Sequence, residues 1–179
     1  MDTKTNTAST LIDKGIAWVG NRKKRPFFLF LHLFDVHEYT SPAKYDERYQ
    51  DADYKGKLKG DLWLLRSLRY LPENLSDADL QYIIAKYDGA ISYVDSELGR
   101  LFAWLRETDQ YDKTLIIVTS DHGEEFREHG WTGHGFTLYE EQLRVPLIIK
   151  LPGSKDSQRR REQHGNVGVI DIMPTCLIT

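Results

Sequence analysis

The residues of this chain best suited to chemistry stand directly after an apolar run, Thr114 to Ser120. Asp121 and His122 place a carboxylate beside an imidazole, and Gly123 then frees the backbone to turn away. Such a pair can hold a divalent cation, whereas a lone Asp-His pair is more simply a polar turn. The metal interpretation is favoured because further titratable groups follow within about one loop length: Glu124, Glu125, His129 and His134.

A second polar pair follows another apolar run. Phe27 to Leu33 predicts a buried strand, and Asp35 and His37 come at its end. In a mostly parallel sheet the loops at the carboxyl ends of the strands project into one crevice. We therefore expect His37 to lie on the same edge as Asp121 and His122.

The remaining elements alternate between helices and strands. An apolar spacing from Leu11 to Val19 predicts a helix, and Ser76 is placed to cap a second one. Val145 to Leu151 predicts a third buried strand, and Val167 to Thr179 a short strand followed by a helix. The fold class expected is α/β, a mostly parallel sheet flanked by helices. The second helix carries a long apolar stripe: Leu80, Ile83, Ile84, Tyr87, Ile91, Val94, Leu98, Leu101 and Leu105.

The length fits a single domain over residues 1–179. Within it we expect a polar N-terminal tail at 1–10, a long excursion at 38–74 and an exposed loop at 153–166. The excursion is aromatic and charged without a clear period, with one short helix predicted around Leu62 to Leu68.

Composition excludes several classes of protein. A net charge of −3 with interspersed signs argues against nucleic acid or an anionic membrane as partner. No apolar run is long enough to cross a bilayer, and no secretory signal is visible. The single cysteine, Cys176, excludes an internal disulfide and leaves the compartment open, either cytoplasmic or periplasmic and exported.

Four segments follow one another in the chain: PFFLFLHLFDVHEY, YDGAISYVDSELGRLFAWL, IIVTSDHGEEFREHGWTGHGFTLYEEQLRVPLIIKLPG and VIDIMPT. Taken together, they resemble the second half of the sulfatase domain, within the alkaline-phosphatase superfamily. The resemblance runs from about Leu11 to the end in an unbroken order of motifs and implies a partial alkaline-phosphatase-like α/β sandwich.

The resemblance implies roles for four residues. Asp121 and His122 take the positions that bind the divalent cation in sulfatases, and His37 the position of a histidine that contacts the sulfate ester. His134 stands where sulfatases usually have a lysine that binds the sulfate. The family implies Ca²⁺, while the imidazole of His122, where many arylsulfatases have asparagine, suits Mn²⁺ or Zn²⁺ better.

One part of the family's machinery does not occur in this sequence. Sulfatases use a formylglycine made in a C/S-x-P-x-R motif, and no such motif is present, since Cys176 is followed by Leu, Ile and Thr. The early Asp-Asp metal pair of the family is also missing. We therefore expect a fragment of a longer sulfatase, inactive alone, whose partner is the missing N-terminal half of the domain.

The expected substrate is a small-molecule or carbohydrate sulfate ester. Two alternatives stay open: a phosphoryl-group enzyme of the same superfamily, such as a phosphonate monoester hydrolase or a phosphoethanolamine or glycerophosphate transferase, and a non-catalytic remnant. An incomplete sheet could also expose unpaired strand edges and promote self-association.

Overall fold

The computed structural model describes residues 7–22, 25–56, 58, 75–153, 162 and 165–178. The chain forms two compact units. The first is Met1–Trp104 with Phe126–Thr132, and the second is Leu105–Glu125 with Gly133–Thr179. The sequence-based expectation of one domain stays a prediction.

The first unit begins with helix α1 (Ala8–Gly20), which confirms the helix predicted from Leu11 to Val19. Thr7 caps it, because its hydroxyl accepts a hydrogen bond from the amide of Thr10. Ala8 is fully buried. Helix α1 thus begins inside the segment 1–10, whose description as a polar tail stays a prediction.

Two further helices belong to the segment that follows. Helix α2 (Ala43–Asp46) is short and was not predicted. Helix α3 (Asp77–Glu107) confirms the predicted cap, since Ser76 Oγ accepts from the amide of Asp79 at 3.2 Å. The short helix predicted around Leu62 to Leu68 lies outside the described residues.

Aromatic side chains hold the first unit together. Two buried clusters, one around Tyr39 and Ile83 and one around Tyr45 and Tyr93, pack against α3. The aspartate that ends α2, Asp46, accepts a charged hydrogen bond from Lys86 of α3. These contacts fix the otherwise irregular chain after residue 38 onto the long helix.

The segment Phe27 to Leu33 is not a buried strand, and that prediction is wrong. It belongs to no ladder among the described residues, and only alternate side chains are covered. Leu29 and Leu31 lie against Gly15 of α1, whereas Phe28 and Phe30 are 74% and 75% exposed. The apolar run has a helix on one side and no described element on the other.

The second unit contains the main ladder. Strand β1 (Ile116–Thr119) pairs antiparallel with β4 (Leu147–Lys150), so that Ile116 lies opposite Lys150 and Thr119 opposite Leu147. The α/β class is confirmed, but parallel pairing is wrong for these two strands, because no crossover helix of the usual length joins them. The burial predicted for β4 is also wrong at Ile148, which is 61% exposed.

Short elements complete the description. Strands β2 (Glu125–Phe126) and β3 (Thr132–Gly133) form a second two-stranded ladder, and helix α4 (Glu140–Leu143) follows. Near the C-terminus a 3₁₀ turn (Val169–Asp171) leads into helix α5 (Ile172–Ile178). The short strand predicted there is wrong, because Asp171 accepts from the amide of Gly168 at 2.8 Å and closes a turn.

Most of the predicted loop at 153–166 lies outside the described residues. No helix in the described part of the chain is long and apolar enough to cross a membrane.

Candidate functional site

The predicted metal residues lie at the end of β1, in the second unit. Asp121 Oδ1 accepts a hydrogen bond from the amide of His122 at 3.2 Å and lies 3.9 Å from its ring nitrogen Nε2. The Asp121 side chain is 74% exposed. A carboxylate oxygen and an imidazole nitrogen are thus presented together at the surface of this unit.

Gly123 turns the chain immediately after this pair. Its amide donates to the carbonyl oxygen of Gln142 at 2.8 Å. A Cβ at this position would lie 2.0 Å from the carbonyl oxygen of Glu141. Only glycine fits this close approach of two backbones, which explains why the chain has no side chain here.

His134 lies beside His122. The two rings are stacked, with centroids 3.9 Å apart and an interplanar angle of 28°. Nδ1 of His134 is 3.0 Å from the Oε1 atom of Glu124, whose side chain is 4% exposed. The structure thus brings three of the four predicted site residues together within the second unit.

A buried polar network holds the loop that carries His134. Glu125 is fully buried, and its carboxylate accepts from Thr137 Oγ1 at 3.0 Å and from Gln142 Nε2 at 3.4 Å. Gln142 Oε1 in turn accepts from the amide of Gly135 at 3.0 Å. Sequence reasoning missed Gln142 because nothing in its neighbourhood of Glu140, Glu141 and Leu143 marks it as different from a helix surface residue.

His37 belongs to the first unit. Its Nδ1 is 3.1 Å from Glu38 Oε1, and its ring centroid is 5.0 Å from that of Phe34. The neighbouring Asp35 is buried, and burial raises the pKa of its carboxyl group, although the backbone amide of Ala8 opposes the shift. The predicted convergence of His37 with Asp121 and His122 stays a prediction.

The donor set of the second unit fits a divalent cation. Nδ1 of His122 lies 2.8 Å from the carbonyl oxygen of Gly123, and because a carbonyl can only accept, Nδ1 carries the proton. The neutral ring then has its lone pair on Nε2, the nitrogen on the side of Asp121 Oδ1. An imidazole fixed in this way through its other nitrogen is the usual form of a metal-ligating histidine.

Comparison with known proteins agrees with this reading of the motifs. The sequence model of the family described as Sulfatase matches residues 4–179. A multifunctional alkaline phosphatase superfamily protein, PehA, of Trinickia caryophylli is 30% identical over 92% of this chain and 36% of its own length. An arylsulfatase of Clostridium perfringens is 29% identical over 86% of this chain and 34% of its own.

A solved structure is similar over much the same region. The phosphonate monoester hydrolase of Agrobacterium radiobacter superposes with a TM-score of 0.65 at 27% identity, covering 84% of this chain and 34% of the other. The chain thus spans about a third of the length of these relatives. From the match over almost all of its residues, the chain belongs to the sulfatase family.

Proposed function

We propose that this chain is part of a metal-dependent hydrolase of sulfate esters. The observation that carries the proposal is the Asp121–His122 pair at the end of β1, with Oδ1 of Asp121 3.9 Å from Nε2 of His122. The chain that carries this pair matches the sequence model of the sulfatase family. Asp121 supplies an anionic oxygen and His122 a nitrogen with its lone pair on Nε2. Both donors suit a divalent cation.

The residues of this chain would divide the work. Asp121 and His122 hold the cation, which when bound polarises the ester oxygen and stabilises negative charge on it. His134, stacked on His122, acts at the same place. For His37 the proposal of a contact with the sulfate ester rests on the sequence resemblance alone.

A nucleophile is not among these residues. Sulfatases attack sulfur through formylglycine, and the motif that yields it does not occur in the 179 residues. We therefore propose that this polypeptide binds a cation but does not turn over sulfate esters by itself.

The test uses the purified 179-residue chain. Calorimetric titration with Mn²⁺ or Ca²⁺ is expected to show binding that Asp121→Ala and His122→Ala each weaken by ~10-fold or more. Glu140→Ala is the matched control, since that carboxylate is 84% exposed in α4 and pairs only loosely with Arg144. Equal binding by all variants would contradict the proposed cation site.

Turnover is measured on the same samples with an aryl sulfate. We expect no hydrolysis of the aryl sulfate above the rate measured with the metal ion alone. Clear turnover that disappears in His37→Ala would overturn the proposal that the nucleophile is missing from this chain.

A second candidate function is hydrolysis of phosphonate or phosphate esters. The similarity to the Agrobacterium phosphonate monoester hydrolase favours it, at 27% identity over 84% of this chain. The two are separated by competition: with Mn²⁺ present, an aryl sulfate should bind this chain more tightly than a phosphonate monoester of the same aryl group. The reverse order of affinities would favour hydrolysis of phosphonate or phosphate esters.

A further inference from the structure

We propose that Gln142 is a positioning residue of this site: its buried side-chain amide holds the loop that carries His134 and thereby sets the place of the His134 ring beside His122. This inference rests on the proposed function, because it takes the site at the end of β1 as given. His134 keeps the role that the sequence resemblance implies, a contact with the sulfate ester. Gln142 is given no contact with substrate or cation and acts only through the loop.

The first step concerns the oxygen end of the Gln142 side chain. Oε1 accepts a hydrogen bond from the backbone amide of Gly135, the residue after His134, at 3.0 Å. Gly135 has a φ of +91°, a backbone conformation that residues with a side chain rarely adopt. The chain therefore turns directly after His134, and the hydrogen bond to Gln142 holds this turn in place.

The second step concerns the nitrogen end of the same side chain. Nε2 donates to the hydroxyl of Thr137 and to Oε2 of Glu125, the latter at 3.4 Å. The Thr137 hydroxyl donates in turn to the same oxygen of Glu125 at 3.0 Å. Glu125 is fully buried and Gln142 is 6% exposed, so these hydrogen bonds form away from bulk water. The loop is thus held at two points, Gly135 and Thr137.

The third step is that this position needs an amide. One end of the side chain accepts from a backbone N–H while the other donates to a carboxylate, and glutamine has the groups for both. A glutamate would place a second carboxylate against Glu125. A methionine of similar length would make neither hydrogen bond, and buried polar groups that lose a partner are costly.

The fourth step leads from the loop to the ring. Nδ1 of His134 lies 3.0 Å from Oε1 of Glu124, and the ring is stacked on that of His122 with centroids 3.9 Å apart. Because the ring can reach only as far as its own backbone allows, a loop that moved would carry the His134 ring away from His122. Each of these residues belongs to the second unit.

The backbone of Gln142 holds the chain next to the other histidine. Its carbonyl oxygen accepts from the amide of Gly123, the residue after His122, at 2.8 Å. A substitution of the Gln142 side chain leaves this carbonyl group in place. The amide of Gly123 is therefore an internal control for effects that the side chain exerts on Gly135.

The experiment compares the unaltered chain with Gln142→Met by NMR. Amide hydrogen exchange is expected to become ~10-fold or more faster at Gly135 and to change little at Gly123. Nuclear Overhauser contacts between the His122 and His134 rings should be lost. Glu140→Met is the matched control, since that side chain is 84% exposed in the same helix α4, and it should leave both measurements unchanged.

A paramagnetic ion tests whether the ring also moves relative to the proposed cation site. Mn²⁺ broadens the NMR signals of nearby protons, and the effect falls steeply with distance. The ring signals of His122 and His134 should both broaden in the unaltered chain, and in Gln142→Met the broadening of His134 should shrink relative to His122. The affinity for Mn²⁺ should change by less than ~3-fold, because the hydrogen bonds removed end on the loop and on Glu125 and not on the proposed ligands.

An exchange of the two buried side chains decides the matter even where Gln142→Met does not fold. Gln142→Glu alone places two carboxylates together, and the His122–His134 ring contacts should be lost as in Gln142→Met. When Gln142→Glu is combined with Glu125→Gln, the amide and the carboxylate change places. The protection of the Gly135 amide and the ring contacts should then return.

The outcomes separate this inference from the proposed function. A Gln142→Met protein with a lower urea midpoint, but with Gly135 still protected and the two rings still in contact, would show a purely structural residue and overturn the inference. A double exchange that does not restore the lost ring contacts would overturn the role of the amide. If Mn²⁺ broadened neither ring in the unaltered chain, the proposed cation site would fail, while the exchange and ring-contact measurements would still decide the place of Gln142.

Discussion

The amide of Gly123 donates to the carbonyl oxygen of Gln142 at 2.8 Å, and this bond joins the end of β1 to helix α4. Through it the residue after His122 is fixed to the same glutamine that holds the loop of His134. The stacking of the two histidines is thus a consequence of one backbone contact and one buried side chain. Changes at Gly123 or in the network around Gln142 should disturb the site without removing a ligand.

Replacing Gly123 by alanine should destabilise the second unit and weaken metal binding. The new Cβ would lie 2.0 Å from the carbonyl oxygen of Glu141, so the two backbones must separate. We expect a loss of ~1–3 kcal/mol in the free energy of unfolding, as for other overpacked sites. Urea unfolding followed by circular dichroism measures it.

Gly99 provides the matched control for this substitution. It lies in α3, and a Cβ there would have no heavy atom within 4 Å. Gly99→Ala should stabilise the chain by up to ~1 kcal/mol, because alanine is the better helix former. If both substitutions shifted the urea midpoint in the same direction, the steric argument at Gly123 would be wrong.

Replacing Glu125 by alanine should be costly for a different reason. The fully buried carboxylate accepts hydrogen bonds from Thr137 and Gln142, and both donors would lose this buried acceptor. A loss of ~1–3 kcal/mol is expected for such a buried group. Glu125→Gln keeps an acceptor oxygen and should cost less.

An exposed glutamate of the same region serves as comparison. Glu140 is 84% exposed and lies 3.8 Å from Arg144, so Glu140→Ala should change the free energy of unfolding by less than ~1 kcal/mol. Thermal unfolding of all three variants ranks them. A Glu125→Ala protein as stable as Glu140→Ala would show that the network does not support the loop.

The sequence predicted the long helix α3 well because its signals are local. Ser76 and Asp79 cap it through bonds within one turn, and the apolar stripe needs only the helical repeat. The same holds for α1 and for the position of Asp121 and His122 at a strand end. Each depends on residues that are neighbours in the chain.

The sequence predicted less well wherever burial depends on a partner element. Phe28 and Phe30 belong to an apolar run, but the run by itself does not show whether anything covers both of its sides. The direction of pairing between β1 and β4 was missed for the same reason. Glu124 and Gln142 act on the histidines across ten residues or fewer, yet only the folded loop shows which atoms meet.

Asp35 should give the chain a pH-dependent stability. Burial, the largest effect, raises the pKa of its carboxyl group, and Glu97 adds to it. The folded state therefore holds this proton more tightly than the unfolded state does. Its contribution to stability is full at acid pH and is lost as pH rises through the folded pKa.

Asp35→Asn removes the ionisable carboxyl group and with it the cost of burying a charge. The urea midpoint at neutral pH should therefore be higher than that of the unaltered chain. The gain should shrink as the pH is lowered, since the aspartate is then protonated. Asp95→Asn, on the exposed side of α3, is the control and should show no such convergence. A lower midpoint for Asp35→Asn at neutral pH would mean that the ionised carboxylate is stabilising.

Tyr54 should ionise at unusually high pH. Burial and the hydrogen bond that its hydroxyl donates to Asp79 at 2.5 Å raise its pKa from 10.0 to about 12, although the amide of Leu58 opposes the shift. Because the folded pKa is the higher one, the free energy of unfolding should fall between these two pH values. Tyr54→Phe should lack that fall, and its tyrosinate absorbance should lack the late transition. Tyr49→Phe, at an exposed position, should keep both, and a late transition that survives in Tyr54→Phe would assign it to another tyrosine.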